Sequence, residues 1–292
     1  MKTVRIAGVP EHFNFPWHMA MEEGAFENRG IQLEWTEVPE GTGRMCEMLR
    51  KDETDLAIIL TEGIVKSIAE GNAVRIVQGY IDSPLLWGIH VGAASAYQHP
   101  EDLRGKKAAV SRLGSGSHLM AYLHARELGW DPNTLAFEIV NNLDGGVNAL
   151  SNGTADYFLW EHFTTKPLVD KGVFRRLGDF PTPWPCFVVA AQEEFTSQTP
   201  ALVRHILEVI NLYTKDFREI PSIDRTLAHR YKQEVTDIRQ WLDKTRWSQC
   251  QIPNEVIEHV IDSLLDLKLI SDKKPATSLL ANPGTPSGGP TN

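Results

Sequence analysis

The chain has 292 residues, of which 42% are hydrophobic and 23% are charged. This is the composition of an ordinary globular protein, and the length fits two domains or one large one. The formal net charge is -9 and the lysines and arginines are dispersed, so the sequence offers no basic patch that could bind several phosphates. We therefore expect no nucleic-acid partner.

Strand-like and helix-like segments alternate along the first 80 residues. Strands are predicted at 2–9, 31–38, 55–60 and 74–80, and helices at 16–28, 41–50 and 62–70. Gly30 and Gly71 stand where helices commonly end. This alternation predicts an α/β fold with a mainly parallel sheet.

A second β/α block follows and leads into a long helical region. Strands are predicted at 87–91, 107–110, 137–140, 154–160 and 187–191, and helices at 118–128 and 144–151. From Pro200 to about Leu269 the pattern is almost wholly helical, with Pro221 and Pro253 marking helix starts. Residues 273–292 are rich in Pro, Ser, Gly and Thr and are predicted to be a disordered tail.

This order predicts two lobes, the first of them discontinuous in sequence. Lobe 1 would comprise residues 1–84 and 189–272, including the C-terminal helices, and lobe 2 would comprise residues 85–188. The chain would cross between the lobes near 81–88 and 181–188. Both segments are apolar and contain proline, as paired hinge strands would be.

No segment predicts membrane insertion or export. The longest apolar stretches, such as residues 56–60, are far shorter than a bilayer-spanning helix. Residues 1–10 lack the charged and then apolar pattern of a secretory signal. The three cysteines (Cys46, Cys186 and Cys250) are too widely spaced for a metal knuckle or a disulfide framework, and we expect each to pack in the core. These features favour a cytoplasmic protein, for which a membrane transporter would not be the expected partner.

Four stretches, in this order, resemble the substrate-binding proteins for alkanesulfonates, taurine, nitrate and thiamine-pyrimidine precursors. They are residues 16–31 (Pro-Trp-His-Met-Ala through Gly-Ile), 55–71 (Asp-Leu-Ala through Glu-Gly), 102–117 (Asp-Leu-Arg-Gly-Lys through Gly-Ser-Gly-Ser) and 187–200 (Phe-Val-Val-Ala through Pro). The resemblance implies the type II periplasmic-binding-protein fold. Each of its two lobes is a mainly parallel sheet flanked by helices, with two hinge crossings, a helical C-terminal region and a ligand in the cleft between the lobes.

Residues 160–167 (WEHFTTKP) and 182–190 (TPWPCFVVA) further resemble a cytosolic, leaderless subgroup of this superfamily, found in bacteria and fungi. The enzymatic relatives of the fold, the yeast thiamine-pyrimidine synthases, have a cysteine-rich iron-binding loop, and a cofactor lysine and a sacrificial histidine on the helix after the third strand. This chain has no cysteine cluster, and Lys66 falls later on that helix, with no histidine after it. We therefore expect no cofactor and assign no catalytic residue.

The segment 111–118 is a Gly/Ser-rich turn between a strand and a helix. Such a turn presents backbone N–H groups at the positive end of the helix dipole, which is where anions bind. Ser115, Gly116, Ser117 and His118 are the candidate ligand-binding residues, the two serines adding hydroxyl groups. The Lys-Ser/Thr pair of a nucleotide-binding loop is missing. The alternative is a serine that only caps an ordinary helix.

Residues 11–18 (EHFNFPWH) follow the first strand. In open α/β sheets ligands bind outside the carboxyl ends of the strands. The segment combines aromatic faces with hydrogen-bond donors, which suits a flat polar ligand, and its candidates are Asn14, Trp17 and His18, with His12 beside them. The alternative is that its aromatic residues only pack the start of the helix.

The other candidates also follow strands. Thr61, Glu62 and Asp82 are the candidates in lobe 1, and Asn142, Asp144, Trp160, Glu161 and His162 are those in lobe 2. Thr61 and Asn142 could equally be helix caps. Glu161 and His162 combine a carboxylate with an imidazole, but neighbouring residues on a strand point to opposite faces, so the two need not meet. No zinc-binding spacing of His or Cys is present, and we assign no metal ligand.

The sequence predicts a soluble small-molecule binding protein that closes a cleft between its lobes over a small polar ligand, anionic or heteroaromatic. An enzyme of thiamine-pyrimidine precursor metabolism that uses the same cleft is the first alternative, so catalysis stays open. A regulatory or partner-binding module is the second.

Overall fold

The computed structural model describes residues 1–281, and the chain divides into two compact units. Unit 1 comprises Met1–Ser83 together with the chain from Trp184 onward, and unit 2 is Pro84–Pro183. Residues 184–188, predicted to lie in lobe 2, fall in unit 1 because Phe187 begins a strand of that unit's sheet.

The described residues form ten strands and eleven α-helices. The strands are β1 (Lys2–Gly8), β2 (Ile31–Glu37), β3 (Leu56–Leu60), β4 (Val74–Ile81), β5 (Leu86–Gly92), β6 (Lys107–Val110), β7 (Ala136–Ile139), β8 (Tyr157–Glu161), β9 (Phe174–Pro181) and β10 (Phe187–Gln192). The helices are α1 (Phe15–Glu22), α2 (Thr42–Arg50), α3 (Thr61–Ala69), α4 (Gly116–Glu127), α5 (Leu143–Asn152), α6 (His162–Asp170), α7 (Glu193–Gln198), α8 (Pro200–Lys215), α9 (Ile223–Tyr231), α10 (Val235–Lys244) and α11 (Asn254–Asp266).

Each unit contains one five-stranded sheet, and the two sheets have the same topology. The strand order is β2-β1-β3-β10-β4 in unit 1 and β7-β6-β8-β5-β9 in unit 2. In each sheet the fourth strand in this order runs antiparallel to both neighbours, and the other four run in one direction. All five residues of β3 are buried, as expected for a central strand covered on both faces. The predicted fold class, with mainly parallel sheets flanked by helices, is confirmed.

The two antiparallel strands are the ones that begin after the chain has passed from one unit to the other. In unit 1, Phe187 at the start of β10 pairs with Ile81 at the end of β4. In unit 2, Leu86 at the start of β5 pairs with Pro181 at the end of β9. In each unit, therefore, the outgoing and incoming segments lie side by side. They lie at the edge where the parallel strands end, which we call the carboxyl edge.

The sequence analysis missed α6 and β9. Pro167 lies inside α6 and interrupts the pattern of a helix, because proline cannot donate the backbone hydrogen bond. Strand β9 carries Arg175, Arg176 and Asp179, and this charge hides the strand pattern. Helix α1 also ends at Glu22, before the predicted position 28, because Gly24 adopts a left-handed conformation with φ of 69°.

Residues 273–281, predicted as part of a disordered tail, are ordered, so the prediction was wrong for this stretch. Leu279 is fully buried, and its carbonyl accepts a 2.9 Å hydrogen bond from the backbone N–H of Ile76. Leu280 forms a parallel bridge with the same residue. Strand β4 is the outer strand of its sheet, so its open backbone groups can pair with an added segment. The remainder of the predicted tail, residues 282–292, lies outside the described residues.

Helices of the C-terminal half pack against those of the first half within unit 1: α8 lies against α1, and α11 against α3.

Across residues 1–281, no helix has the length and apolar character that crossing a bilayer requires.

Replacing Leu279 with alanine tests the ordered C-terminal segment. Leu279→Ala should lower the free energy of unfolding by about 2–4 kcal/mol, because it removes a fully buried side chain. Leu212→Ala is the matched control, since Leu212 is 70% exposed, and it should change stability by about 0.5 kcal/mol or less. Equal urea midpoints for the two variants would contradict the packing of this segment.

Candidate functional site

The predicted binding residues lie on segments that adjoin the carboxyl edges. In unit 1 these segments follow β1, β3 and β4, and in unit 2 they follow β6, β7 and β8. Because β5 and β10 run antiparallel, their first residues lie at the same edges, which adds the segment around Trp184 to the edge of unit 1. The fold therefore brings together, within each unit, residues that are far apart in sequence.

Asn14 and His12 are buried in the turn between β1 and α1. Asn14 donates from Nδ2 to the Val9 carbonyl at 2.8 Å, and its Oδ1 has no hydrogen-bond partner within the described part of the chain. Both ring nitrogens of His12 are equally unpartnered there, and its ring lies 4.3 Å from that of Trp241. Burial lowers the pKa of His12 to about 3, so the imidazole is neutral at pH 7. These are polar groups with unused hydrogen-bonding capacity.

Gly8, at the end of β1, makes this turn possible. A Cβ atom at Gly8 would lie 2.5 Å from the ring of Trp35 and 2.9 Å from Asn14 Nδ2. Any larger residue would therefore displace Asn14.

Trp17 lies in the core of unit 1. It is fully buried and stacks on Phe26 with ring centroids 5.9 Å apart and planes 5° apart, with Trp35 and Tyr80 next to it. This matches the alternative in which the aromatic residues of the segment pack the start of the helix. The indole presents no exposed surface to a ligand in this conformation.

His18 lies at the rim of the same segment. Its ring contacts Trp35 with centroids 5.0 Å apart, and its Nε2 is 3.9 Å from Glu37 Oε1. Burial, together with the positive charge of Arg230, lowers the pKa of His18 to about 4. A neutral imidazole at this position offers one donor and one acceptor to a ligand.

Thr61 and Glu62 open helix α3 at the centre of the carboxyl edge of unit 1. The Thr61 hydroxyl donates to the Pro185 carbonyl at 2.6 Å, and its backbone N–H donates to the Cys186 carbonyl at 2.9 Å. Glu62 is fully buried, and its Oε2 accepts a 2.8 Å hydrogen bond from Trp184 Nε1. Its Oε1 is buried with no partner among residues 1–281. Burial raises the pKa of Glu62 to about 7.

Asp82 follows β4, and it is exposed. Its backbone N–H donates to the Arg246 carbonyl at 2.8 Å, and the Ser83 hydroxyl accepts from the Arg246 backbone at 3.2 Å. These bonds connect the outgoing segment of unit 1 to the chain that follows α10.

In unit 2 the Ser/Gly turn is closed by its own side chains. Ser117 Oγ accepts from the Ser111 backbone at 3.0 Å, Ser115 Oγ caps α4 by accepting from the His118 backbone at 3.3 Å, and His118 Nδ1 accepts from the Gly114 backbone at 3.0 Å. Capping and turn closure therefore engage the predicted hydroxyls. The first N–H groups of α4 lie in a helix turn that has no intrahelical acceptors; that of His118 is bonded to Ser115, and that of Gly116 points to the end of the helix where anions can bind.

Asn142 caps helix α5, because its Oδ1 accepts a 2.9 Å hydrogen bond from the Gly145 backbone. Asp144 lies in the first turn of that helix and is exposed. The bonding of Asn142 matches the capping alternative.

Trp160, Glu161 and His162 have separate partners. Trp160 packs on Phe158 with ring centroids 4.9 Å apart. Glu161 caps α6 by accepting a 2.6 Å hydrogen bond from the Thr164 backbone, and burial raises the pKa of its carboxyl. His162 Nδ1 lies 2.7 Å from Asp179 Oδ1.

Sequence reasoning missed a polar network in the sheet of unit 2. Arg176 on β9 donates from Nη2 to the His162 carbonyl at 2.6 Å and from Nε to His90 Nε2 at 3.3 Å. His90 is fully buried, and its Nε2 also lies 2.8 Å from the Thr165 hydroxyl. A Cβ atom at Gly88 would lie 2.5 Å from the His90 ring and 2.9 Å from Arg176 Nε, so only glycine leaves room for the network. Strand pairing brings β5 and β9 together, and β9 carried no sequence signal strong enough to place these residues.

Trp184 was not among the predicted ligand-binding residues; the sequence predicts that it packs the second crossing, from where it could reach the cleft. The signal that points to it is its position directly after the proline-containing crossing, where an indole N–H needs a partner once it is buried.

Within the described part of the chain, no group of three His, Cys, Asp or Glu side chains could hold a metal ion.

Comparison with known proteins agrees with this architecture. Residues 87–180, within unit 2, match the family model described as Ca3427-like PBP. No curated protein matches the chain.

Solved structures share the fold over nearly the full length. The Candida albicans CA3427 gene product, described as defining a new family with the generic periplasmic binding protein fold, is 23% identical with a TM-score of 0.88, covering 99% of each chain. The alkanesulfonate-binding protein SsuA from Xanthomonas axonopodis pv. citri, bound to MOPS, is 16% identical with a TM-score of 0.82, covering 97% of this chain and 99% of its own. The aliphatic sulphonate binding protein SsuA from Escherichia coli is 17% identical with a TM-score of 0.71, covering 100% of this chain and 96% of its own.

The two sheets of identical topology and these matches show the periplasmic-binding-protein fold. They confirm the fold that the sequence resemblance implies. Within this fold, residues 87–180 of unit 2 match the Ca3427-like family model.

Replacing Glu62 with glutamine tests the environment of its carboxyl. The pKa is raised from 4.5 to about 7 in the folded protein, so the folded state binds the proton more tightly than the unfolded chain does. The resulting stability is fully present below about pH 4.5 and is lost as the pH rises to about 7. Between these values, the free energy of unfolding of the wild type should fall by about 3 kcal/mol relative to Glu62→Gln.

Urea unfolding at a series of pH values measures this difference, with the exposed Glu127→Gln as the matched control. A wild-type curve that stays parallel to the Glu62→Gln curve from pH 4.5 to 8 would show that the carboxyl is hydrated.

Proposed function

We propose that this chain is a small-molecule binding protein whose two units hold one polar ligand at their carboxyl edges and close around it. The observation that carries the proposal is the antiparallel strand in each sheet. It places the start of the incoming segment, the end of the outgoing segment and the predicted binding residues at the same edge of each unit. A ligand held at both edges would favour a closed arrangement by its higher affinity for that state.

The chemistry of the two edges supports a polar ligand. In unit 2 the N-terminal turn of α4 provides backbone donors for an anionic or other acceptor group. In unit 1 the unpartnered polar atoms of Asn14, His12 and Glu62 provide further hydrogen bonds. The two SsuA structures carry names that describe alkanesulfonate and aliphatic sulphonate binding, and one contains MOPS. We therefore propose a sulfonate, a carboxylate or a heteroaromatic molecule with an acidic group as the ligand.

We further propose that the protein works in a reducing compartment, in agreement with the cytoplasmic location expected from the sequence. None of the three cysteines forms a disulfide, and all three lie within the described residues. Cys46 and Cys186 are buried as expected, but Cys250 is exposed, so the expectation that it packs in the core was wrong. Exposed thiols of this kind are typical of reducing compartments. Fractionation of cells that express the native open reading frame tests this location, and recovery in a secreted or periplasmic fraction would refute it.

Closure of the two units on a ligand is measurable in solution. With saturating propane-1-sulfonate, small-angle X-ray scattering should show a smaller radius of gyration than without it, and the melting temperature should rise by mass action. Identical scattering profiles at a concentration that raises the melting temperature would show binding without closure.

The serines of the 111–118 turn test the anion-binding end. Ser115→Ala combined with Ser117→Ala should weaken binding of propane-1-sulfonate by about 1 kcal/mol, or about fivefold, because the backbone donors of α4 remain. Ser151→Ala, at an exposed position in the same unit, is the control. An unchanged dissociation constant for the double variant, with its fold intact by circular dichroism, would contradict a contribution of these two serines to anion binding.

A further inference from the structure

Only one of the two carboxyl oxygens of Glu62 has a hydrogen-bond partner among residues 1–281. Oε2 accepts from Trp184 Nε1 at 2.8 Å, whereas Oε1 is buried without a partner in residues 1–281. Leaving a buried polar atom unpaired destabilises the folded state, and the penalty is larger if the group is charged. Buried polar atoms in folded proteins are therefore almost always paired, and an exception calls for an explanation such as a functional role or a bound water or ion.

The surrounding segments hold this carboxyl in one place. A Cβ atom at Gly63 would lie 2.2 Å from Thr42 Cγ2, so the start of α3 packs closely against the start of α2. Thr61 is bonded to the Pro185 and Cys186 carbonyls, and the Trp184 ring lies 5.7 Å from that of His259 on α11. Four segments of unit 1 therefore fix Glu62, and a ligand would meet it without any rearrangement of the carboxyl.

Within residues 1–281, no positively charged side chain is among the causes of the pKa shift of this carboxyl. Burial raises its pKa, and the opposing influences are the hydrogen bond from Trp184 and the backbone of Glu62 itself. Two titratable side chains lie on the segments packed around it: the Cys46 thiol, 3.8 Å from the Gly63 carbonyl, and His259, whose ring contacts that of Trp184. A buried carboxylate without a positive partner is unfavourable, and a cation brought by a ligand would remove that penalty.

We propose that Glu62 and Trp184 form a subsite for an ammonium, amidinium or similar N–H-donating group of the ligand. In this subsite, Glu62 Oε1 accepts a hydrogen bond from that group, while Oε2 accepts one from Trp184 Nε1. The inference rests on the proposed function, because it assumes that a ligand binds at the carboxyl edge of unit 1. It narrows the ligand to a molecule with a basic nitrogen in addition to the acidic or acceptor group that α4 would bind.

Two probes that differ by one ammonium group test the subsite. These are 3-aminopropane-1-sulfonate and propane-1-sulfonate. Both contain the propanesulfonate chain that is also part of MOPS, the molecule bound in one of the SsuA structures. Isothermal titration calorimetry of the wild type should show about tenfold tighter binding of the ammonium probe, the effect of one charge-assisted hydrogen bond in a buried site. In Glu62→Gln, which keeps the shape and removes the charge, the two affinities should agree within about twofold.

Proton release gives a second and independent measurement. At pH 6.5 the ammonium probe should displace a proton from Glu62, so its binding enthalpy should change with the ionisation enthalpy of the buffer, whereas that of propane-1-sulfonate should not. Glu127→Gln should keep the wild-type preference and the proton release.

The outcomes separate the two proposals. If propane-1-sulfonate binds and the ammonium probe binds no tighter, or if Glu62→Gln keeps the preference, the subsite is refuted while the binding function stands. If neither probe binds to the wild type, the sulfonate-type ligand and this subsite are both refuted.

Discussion

The pairing of the crossing strands is the constraint on which the rest of the structure depends. In unit 1, β10 is the first strand after the chain returns, and it pairs with β4, the last strand before the chain leaves. In unit 2, β5 is the first strand after the chain enters, and it pairs with β9, the last strand before the chain leaves. Both β10 and β5 run antiparallel to their neighbours, so their first residues lie at the edge where the parallel strands end. The hydrogen bond from the Cys186 backbone to the Ser83 carbonyl joins the outgoing and incoming segments directly in unit 1. The carboxyl edge is therefore both the place where the chain crosses and the place where polar residues collect.

The polar groups at these edges are of two kinds, and the difference matters for function. Ser115, Asn142 and Glu161 use their side chains to cap the helices that follow, so they order the first turns of α4, α5 and α6. Glu62 and Asn14 keep one oxygen each that the described protein does not use. The three helix caps belong to unit 2 and the two unused acceptors to unit 1, so the edges of the two units differ in chemistry.

The sequence predicted the fold well because the fold depends on local patterns. Apolar strands such as Leu56–Leu60 and helices that end at glycine were recognisable one by one, and their order matched a known family. For the candidate site, the sequence could predict only that its residues follow the ends of strands. The contact between Glu62 and Trp184 joins residues 122 positions apart, and the network around Arg176 depends on the pairing of β5 with a strand whose charges hid it. The apolar pair Leu279 and Leu280, of which Leu279 is buried, was outweighed by the polar composition around it.

The central claim is that one ligand engages the carboxyl edges of both units. Hydrogen–deuterium exchange, followed by mass spectrometry with and without saturating 3-aminopropane-1-sulfonate, tests it most directly. We expect slower exchange in residues 9–18 and 61–63 of unit 1 and in residues 111–118 and 160–163 of unit 2, and unchanged exchange in residues 92–97 at the opposite edge. Protection confined to one unit, or centred on residues 92–97, would contradict this account.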